Sequence, residues 1–109
     1  MLRVQEICAE HGIDLEDAME LLWEFVRYTE EETLVTMRAG LSTQDVVKVQ
    51  KAAHSLKGAA LNLKLDETAS VAREVEVVAS DNLDKASELV DRLEEQVRLL
   101  RSLLHQYSS

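Results

Sequence analysis

The scarcity of helix breakers is the feature that most limits what this chain can fold into. The 109 residues contain no proline and only three glycines. Because these two residue types most often interrupt helices, their scarcity predicts long helices. Apolar residues make up 46% of the chain and charged residues 30%, which is typical of a soluble globular protein. The length fits one domain over residues 1–109.

The first long helix has a clear start signal. Residues 1–10 before it are weakly amphipathic and predict a short N-terminal helix. Asp14, with Asp17 three residues later, is typical of an N-cap. Apolar residues then recur at helical spacing as far as Ala39, and Gly40 is the expected stop. The polar stretch that begins at Thr29 lies inside this helix and is a candidate for a bend.

Three more helices follow, separated by short polar corners. Ser42 and Asp45 repeat the N-cap pattern, Asp66 is the expected cap of the next helix, and residues 80–82 form a turn. The expected helices cover about residues 43–63, 67–79 and 83–106. Short connections favour antiparallel neighbours. The predicted fold is therefore all-α, an up-down antiparallel four-helix bundle with a short N-terminal helix.

Charge and cysteine content restrict the partners and the compartment. The net charge of −9 argues against binding to nucleic acid or to an anionic membrane surface. Cys8 is the only cysteine, which fits a reducing compartment. No apolar stretch approaches the roughly 18 residues of a membrane span, and the first ten residues lack the apolar core of a secretory signal. We expect a soluble cytoplasmic protein.

The stretch AAHSLKGAALNL, residues 52–63, places a histidine on a helix face away from the core. At about 100° per residue, one side of this helix collects small and apolar residues as the core stripe. The predicted stripe is Val49, Ala52, Ala53, Leu56, Ala59, Ala60 and Leu63. His54 points the other way. The residues that share its face are Gln50, Lys51, Lys57, Gly58 and Leu61.

A local cationic patch surrounds this histidine. Residues 46–65 contain four lysines and no acid, whereas all 21 acidic residues lie elsewhere. Lys51 and Lys57 are each three residues from His54, which brings their side chains within reach of it on a helix. Cations at this position can stabilise the negative charge of a phosphoryl group in transfer. The patch fits phosphoryl chemistry, and a surface histidine without a role remains the alternative at this point.

Gly58 is unusual because glycine inside a helix costs roughly 1 kcal/mol relative to alanine. It lies one turn beyond His54 on the same face. One interpretation is that it keeps the imidazole open to an approaching protein. The alternative is a close helix–helix contact.

These residues together resemble the signature of the histidine-containing phosphotransfer (HPt) domain family. The family motif has a histidine, a lysine at +3 and a glycine at +4, with a hydrophobic residue and a glutamate near +21 and +22. The matching residues are His54, Lys57, Gly58, Val75 and Glu76, and Asn62 stands at a position where asparagine is common in the family. The resemblance covers most of the chain, because the family fold is also a four-helix bundle of about this length.

The resemblance implies a phosphoryl carrier rather than an independent kinase. In such domains the histidine accepts a phosphoryl group from a receiver phospho-aspartate or from a kinase, and passes it to a receiver aspartate. The implied partners are histidine kinases and the receiver domains of response regulators or hybrid kinases. By analogy, Glu76 would hydrogen-bond one ring nitrogen of His54, leaving Nε2 as the nucleophile, with Lys57 assisting. The resemblance implies no cofactor.

The sequence departs from the family pattern at two positions. Leu61 stands where many members have a small residue, and Lys64 stands where many have glycine. Both are expected to affect the choice of partner, together with Gln50, Lys51 and Gly58 on the docking face. Lys64 also raises the question of how the corner after this helix is formed.

Two other functional classes remain as alternatives. One is an HPt-like interaction module that docks a receiver or kinase without transferring phosphate. The other is the dimerising hairpin of a histidine kinase, which usually has an acid directly after its histidine and a proline nearby. Here Ser55 follows His54, and there is no proline. No residues have metal-ligand spacing, and no glycine-rich phosphate loop is present, so neither a metal nor a nucleotide is expected.

Overall fold

Helices form every regular element of the part of the chain that the structure, a computed structural model, describes, residues 4–108. Residues 1–3 of the expected N-terminal helix lie outside this range. The elements are α1 (Val4–His11), α2 (Leu15–Tyr28), a π-helical segment (Thr29–Thr33), α3 (Leu34–Ser42), α4 (Val46–Asn62), α5 (Asp66–Val78) and α6 (Leu83–Ser108). The all-α prediction is confirmed.

The first arm of the bundle is a continuous helix made of α2, the π-helical segment and α3. The Asp14 side chain accepts the backbone N–H of Asp17 at 2.9 Å, so the predicted N-cap is confirmed. The stretch expected to bend is the π-helical segment, where Leu34 N–H bonds the Thr29 carbonyl, five residues back instead of four. Thr29 and Thr33, the first and last residues of this segment, are both buried.

The prediction that Gly40 ends this helix is wrong. The helix runs to Ser42, and Gln44 takes the left-handed conformation that closes it, with φ of 57°. Asp45 N–H then bonds the Gly40 carbonyl at 2.8 Å, and Gln44 N–H bonds Leu41 at 3.3 Å. This pair of bonds is a Schellman motif. The stop is therefore made by backbone geometry at Gln44.

Gly40 has a packing role instead. It is buried where α3 passes close to α4. A Cβ at this position would lie 2.8 Å from Cγ2 of Val49 and 3.2 Å from its backbone nitrogen. Glycine is needed because a methyl group would collide with α4.

Two predicted caps are also wrong. The N-cap of α4 is Asp45, whose carboxylate accepts the Lys48 N–H at 3.1 Å, while Ser42 is still in the last turn of α3. The N-cap position of α5 is Leu65, without a side-chain cap, and Asp66 is the first residue of the helix. Helix α4 starts later than expected, because the Schellman closure of α3 extends to Asp45, whereas α5 starts one residue earlier than expected.

The four arms pack in a ring. Helix α4 lies between α3 and α5, and α6 packs against α5 and back against α2 and α3. The bundle is 42 Å long, close to the about 39 Å expected for the 26 residues of α6 at about 1.5 Å per residue. Fully buried side chains include Leu22, Val26, Met37, Val49, Leu56, Val75, Leu89, Leu93 and Val97. None of the described helices has the length and apolar character needed to cross a membrane.

The core stripe of α4 is confirmed with one exception. Val49, Ala53 and Leu56 are buried with most of the other expected positions, but Ala59 is exposed. Ala59 lines a groove of about 240 Å³ between α2 and α4. The short side chain of Ala59 is open to solvent through this groove.

Candidate functional site

Helix α4 presents His54 on its outer side. The helix has 17 residues, and its buried side faces the core through Val49, Ala53 and Leu56. The His54 side chain is 67% exposed. The imidazole is thus held near the middle of α4 and is open to another molecule.

The carboxylate of Glu76, on α5, lies between His54 and Lys57. Its Oε2 is 3.0 Å from Nδ1 of His54, and its Oε1 accepts from Nζ of Lys57 at 3.2 Å. Because an ionised carboxylate can only accept, Nδ1 of His54 carries the proton in this contact. Nε2 is then left as the free nitrogen of the neutral ring. The hydrogen bond expected from the resemblance is present, and its role in orienting the ring stays a prediction.

The surroundings of Glu76 keep it ionised. Burial raises the pKa of this carboxyl, but the hydrogen bond and charge of Lys57, together with His54, outweigh burial and hold the pKa below its ordinary value of 4.5. At neutral pH the histidine therefore faces a carboxylate anion, which can stabilise positive charge on the ring.

Gln50 also contacts Glu76, but it binds the backbone of this residue and not its carboxylate. It lies one turn before His54 on α4, and its side-chain Nε2 donates to the backbone carbonyl of Glu76 at 3.1 Å. The bond is partly buried. Gln50 therefore joins α4 to α5 beside the histidine.

The surface around His54 is open and partly apolar. A Cβ at Gly58 would meet no atom within 4 Å, so the interpretation of Gly58 as a helix–helix contact is wrong. Leu61 is 51% exposed and Val47 is 57% exposed, seven residues to either side of His54. The two apolar side chains and the glycine form an accessible surface around the imidazole.

A groove of about 470 Å³ borders this surface on the side of α3. Its lining includes Tyr28, Thr33, Val47, Lys48, Lys51 and Ser55. Within residues 4–108, neither Lys48 nor Lys51 forms an ion pair. The same groove is also lined by the acidic residues Glu32 and Asp45.

Lys64 is placed apart from this group. It has φ of 59° and closes α4 with the same bonding pattern that ends α3. The corner is therefore formed with lysine in the left-handed position that favours glycine. Its Nζ pairs with Oε2 of Glu10, on α1, at 2.6 Å, which raises the pKa of Lys64 and lowers that of Glu10.

Sequence reasoning missed Val47 on this surface. It could have been found, because a spacing of seven residues puts Val47 on the His54 face just as it does for Leu61. The position of Tyr28 in the groove depends on packing, because this residue comes from α2. Among the described residues, no three His, Cys, Asp or Glu side chains are grouped to hold a metal ion.

Comparison with known proteins agrees with this geometry. The family model described as Hpt domain matches residues 15–106. A search of curated proteins and a search of solved structures each gave no match. The matched range contains α2 to α5 and most of α6, with every residue of the surface around His54. The chain therefore belongs to the Hpt domain family, the phosphotransfer modules of two-component signalling.

Proposed function

We propose that this protein is a phosphoryl carrier of a phosphorelay, in which His54 accepts a phosphoryl group and passes it to the aspartate of a receiver domain. One observation carries the proposal. The Glu76 carboxylate holds Nδ1 of His54 at 3.0 Å, while the histidine side chain is 67% exposed. A neutral ring held in this way directs the lone pair of Nε2 at an incoming group.

The transfer step is a displacement at phosphorus. Nε2 of His54 attacks the phosphorus of a receiver's aspartyl phosphate, the N–P bond forms, and the acyl P–O bond breaks to release the aspartate carboxylate. The ring keeps the proton on Nδ1 and becomes a cation, which the Glu76 carboxylate stabilises. In the onward step, the carboxylate of a receiver aspartate attacks phosphorus, and the N–P bond breaks to return the neutral ring.

Lys57 is proposed to assist this step. Its Nζ donates to Oε1 of Glu76 at 3.2 Å. The Lys57 side chain projects from α4 one turn after His54. Its positive charge keeps the carboxylate ionised and counters the negative charge of a phosphoryl group at Nε2. Most catalysis of phosphoryl transfer is positioning and electrostatic stabilisation, and these residues supply both.

The proposed docking surface lies around the imidazole. Gly58 leaves room for the partner's backbone, Leu61 and Val47 offer apolar contact, and Lys51 offers a cation to an anionic partner. Hpt domains interact with receiver domains and histidine kinases, and we assign such a domain as the partner here. We assign the cytoplasm as the compartment, which free Cys8 fits.

The test is transfer of label from a phosphorylated receiver domain. The unsubstituted protein is expected to take up acid-labile label, and His54→Gln is expected to take up none while keeping its helical circular dichroism. His105→Gln is the matched control, because His105 is also exposed but lies on α6. Uptake by His54→Gln at the normal rate would contradict the assignment of the nucleophile. Tight binding of a receiver without any label on the unsubstituted protein would indicate an interaction module instead.

A further inference from the structure

We infer that Gln50 is a positioning residue for phosphoryl transfer: it fixes the backbone of Glu76, whose carboxylate holds the His54 ring. The inference rests on the proposed function of His54. The helix face of Gln50 led us to expect a direct contact with the partner. The inference gives Gln50 a role inside the protein instead.

The end of α5 explains why this bond is needed. Glu76 lies in the last turn of α5, where carbonyl groups lack a donor from a following turn of helix. The preceding carbonyl, of Val75, accepts the N–H of Ala79 at 3.0 Å. The carbonyl of Glu76 accepts the side-chain amide of Gln50 at 3.1 Å. A side chain of α4 thus supplies the donor that α5 cannot.

The bond also limits how Glu76 can move. The last turn of a helix opens more easily than its interior. Here Gln50 holds the backbone of Glu76, and Lys57 holds its Oε1 at 3.2 Å, which leaves Oε2 directed at His54. All three contacts come from side chains of one helix. If the backbone of Glu76 shifts, the carboxylate shifts with it.

The chemical consequence lies in the tautomer of His54. A carboxylate at Nδ1 favours the neutral ring with its proton on Nδ1 and the lone pair on Nε2. Without the Gln50 bond, Glu76 would spend less time in contact with the ring. The population of this tautomer would fall, and the reactivity of Nε2 would fall with it.

The experiment compares Gln50→Met with the unsubstituted protein. Methionine has a similar length and is a good helix former, but it has no N–H donor. The first measurement is ¹⁵N NMR of the His54 ring at a pH where the ring is neutral, in the absence of any partner. The second is the rate of labelling by phosphoramidate, a small phosphoryl donor that needs no docking surface. Gln5→Leu on α1, an exposed glutamine, is the control.

We expect Gln50→Met to lower the Nδ1–H fraction and to slow labelling by about five-fold, the factor that corresponds to one ordinary hydrogen bond. Gln5→Leu is expected to change neither. An unchanged tautomer together with weaker uptake from a receiver would show that Gln50 is a docking residue and overturn the inference. A lower melting temperature with an unchanged tautomer would show a merely structural bond and also overturn it. Gln50→Ala repeats both measurements if Gln50→Met is poorly folded.

The tautomer measurement separates this inference from the proposed function. If the unsubstituted protein takes no label from any donor, the proposed function fails. The ¹⁵N spectra of the two proteins would still show whether Gln50 positions Glu76 against His54.

Discussion

His54 and Gly58 lie one turn apart on the exposed face of α4. In the proposed function, His54 carries the chemistry and Gly58 keeps the imidazole accessible. The imidazole is held from the inner side by Glu76. The glycine leaves the outer side open, because no atom lies within 4 Å of where its Cβ would be. At position 58, helix stability favours alanine, whereas access to the imidazole in the proposed function favours glycine.

Substitution of Gly58 should therefore separate stability from transfer. Gly58→Ala is expected to raise the free energy of unfolding by up to about 1 kcal/mol, because alanine is the better helix former. Leucine and glutamate should also be tolerated, but transfer from a receiver should fall as the side chain grows. A displacement of about 1 Å can cost roughly 100-fold in rate. Urea unfolding and transfer rates would be measured on the same samples.

Gly40→Ala is the matched control for this series. Its new Cβ would lie 2.8 Å from Cγ2 of Val49, so it is expected to lower the free energy of unfolding by about 1–3 kcal/mol. Equal transfer rates for alanine, leucine and glutamate at position 58 would contradict a role for Gly58 in access.

The ionisation of Glu76 provides a second test at the residue scale. Lys57→Met removes the hydrogen bond and charge that keep the pKa of Glu76 low, so this pKa is expected to rise. The lowered pKa contributes stability that is present above pH 4.5 and is lost as the pH falls through the folded-state value. This acid-dependent loss should be smaller in Lys57→Met.

The measurement is a ¹³C NMR titration of the Glu76 carboxyl, with urea unfolding at several pH values. Transfer by Lys57→Met at saturating receiver should also be slower. Lys85→Met, which removes a lysine from α6, is the control and should leave the pKa of Glu76 in place. An unchanged titration of Glu76 in Lys57→Met would show that Lys57 does not lower the pKa of Glu76.

At the scale of elements, two helices end on residues that are unusual for their backbone conformation. Gln44 after α3 and Lys64 after α4 have φ of 57° and 59°, the left-handed region that favours glycine. The Schellman bonds at each corner require this conformation. One corner precedes α4 and the other follows it, so both ends of the helix that carries His54 adjoin corners closed by backbone hydrogen bonds.

Gln44→Gly is expected to raise the free energy of unfolding by about 0.5–1 kcal/mol. Glycine relieves a left-handed strain of roughly 1–2 kcal/mol and loses part of that gain through its greater freedom in the unfolded chain. Gln44→Ala still carries a Cβ and should give no gain. Chemical denaturation of the three proteins provides the comparison, and a loss of stability in Gln44→Gly would show that the glutamine side chain stabilises the corner.

At the scale of the whole molecule, α1 extends the bundle beyond the range that matches the Hpt domain. The match begins at residue 15, whereas α1 ends at His11. Ile7 is fully buried, Glu10 pairs with Lys64, and His11 donates from Nε2 to the Asn62 carbonyl at 3.0 Å. The short helix thus covers the corner after α4 and packs as part of the same core.

Ile7→Ala is expected to lower the free energy of unfolding by about 2–5 kcal/mol, the usual range for emptying a fully buried isoleucine site. Gln5→Ala, an exposed position on the same helix, should have little effect. Thermal unfolding followed at α6 would show whether the loss reaches the whole bundle. A change confined to α1, with α6 unfolding at its original temperature, would mean that α1 is not part of the cooperative unit.

The sequence by itself determined the features that depend on neighbours along the chain. Helical periodicity predicted the four arms and the outward position of His54, because a helix repeats every 3.6 residues wherever it packs. The N-cap at Asp14 followed from a contact between residues three apart. The outward direction of Gly58 followed from the same periodicity. Each of these signals is local.

Only the tertiary structure decided what depends on contacts between distant residues. Gly40, expected as a helix stop, is a contact point with Val49 of α4. Glu76 was suggested only by the family resemblance, and its contact with His54 joins residues 22 positions apart. Lys64 pairs with Glu10 on another helix. Periodicity gives the face of a helix on which a side chain lies, but the partner across that face depends on how the helices pack, which no local pattern encodes.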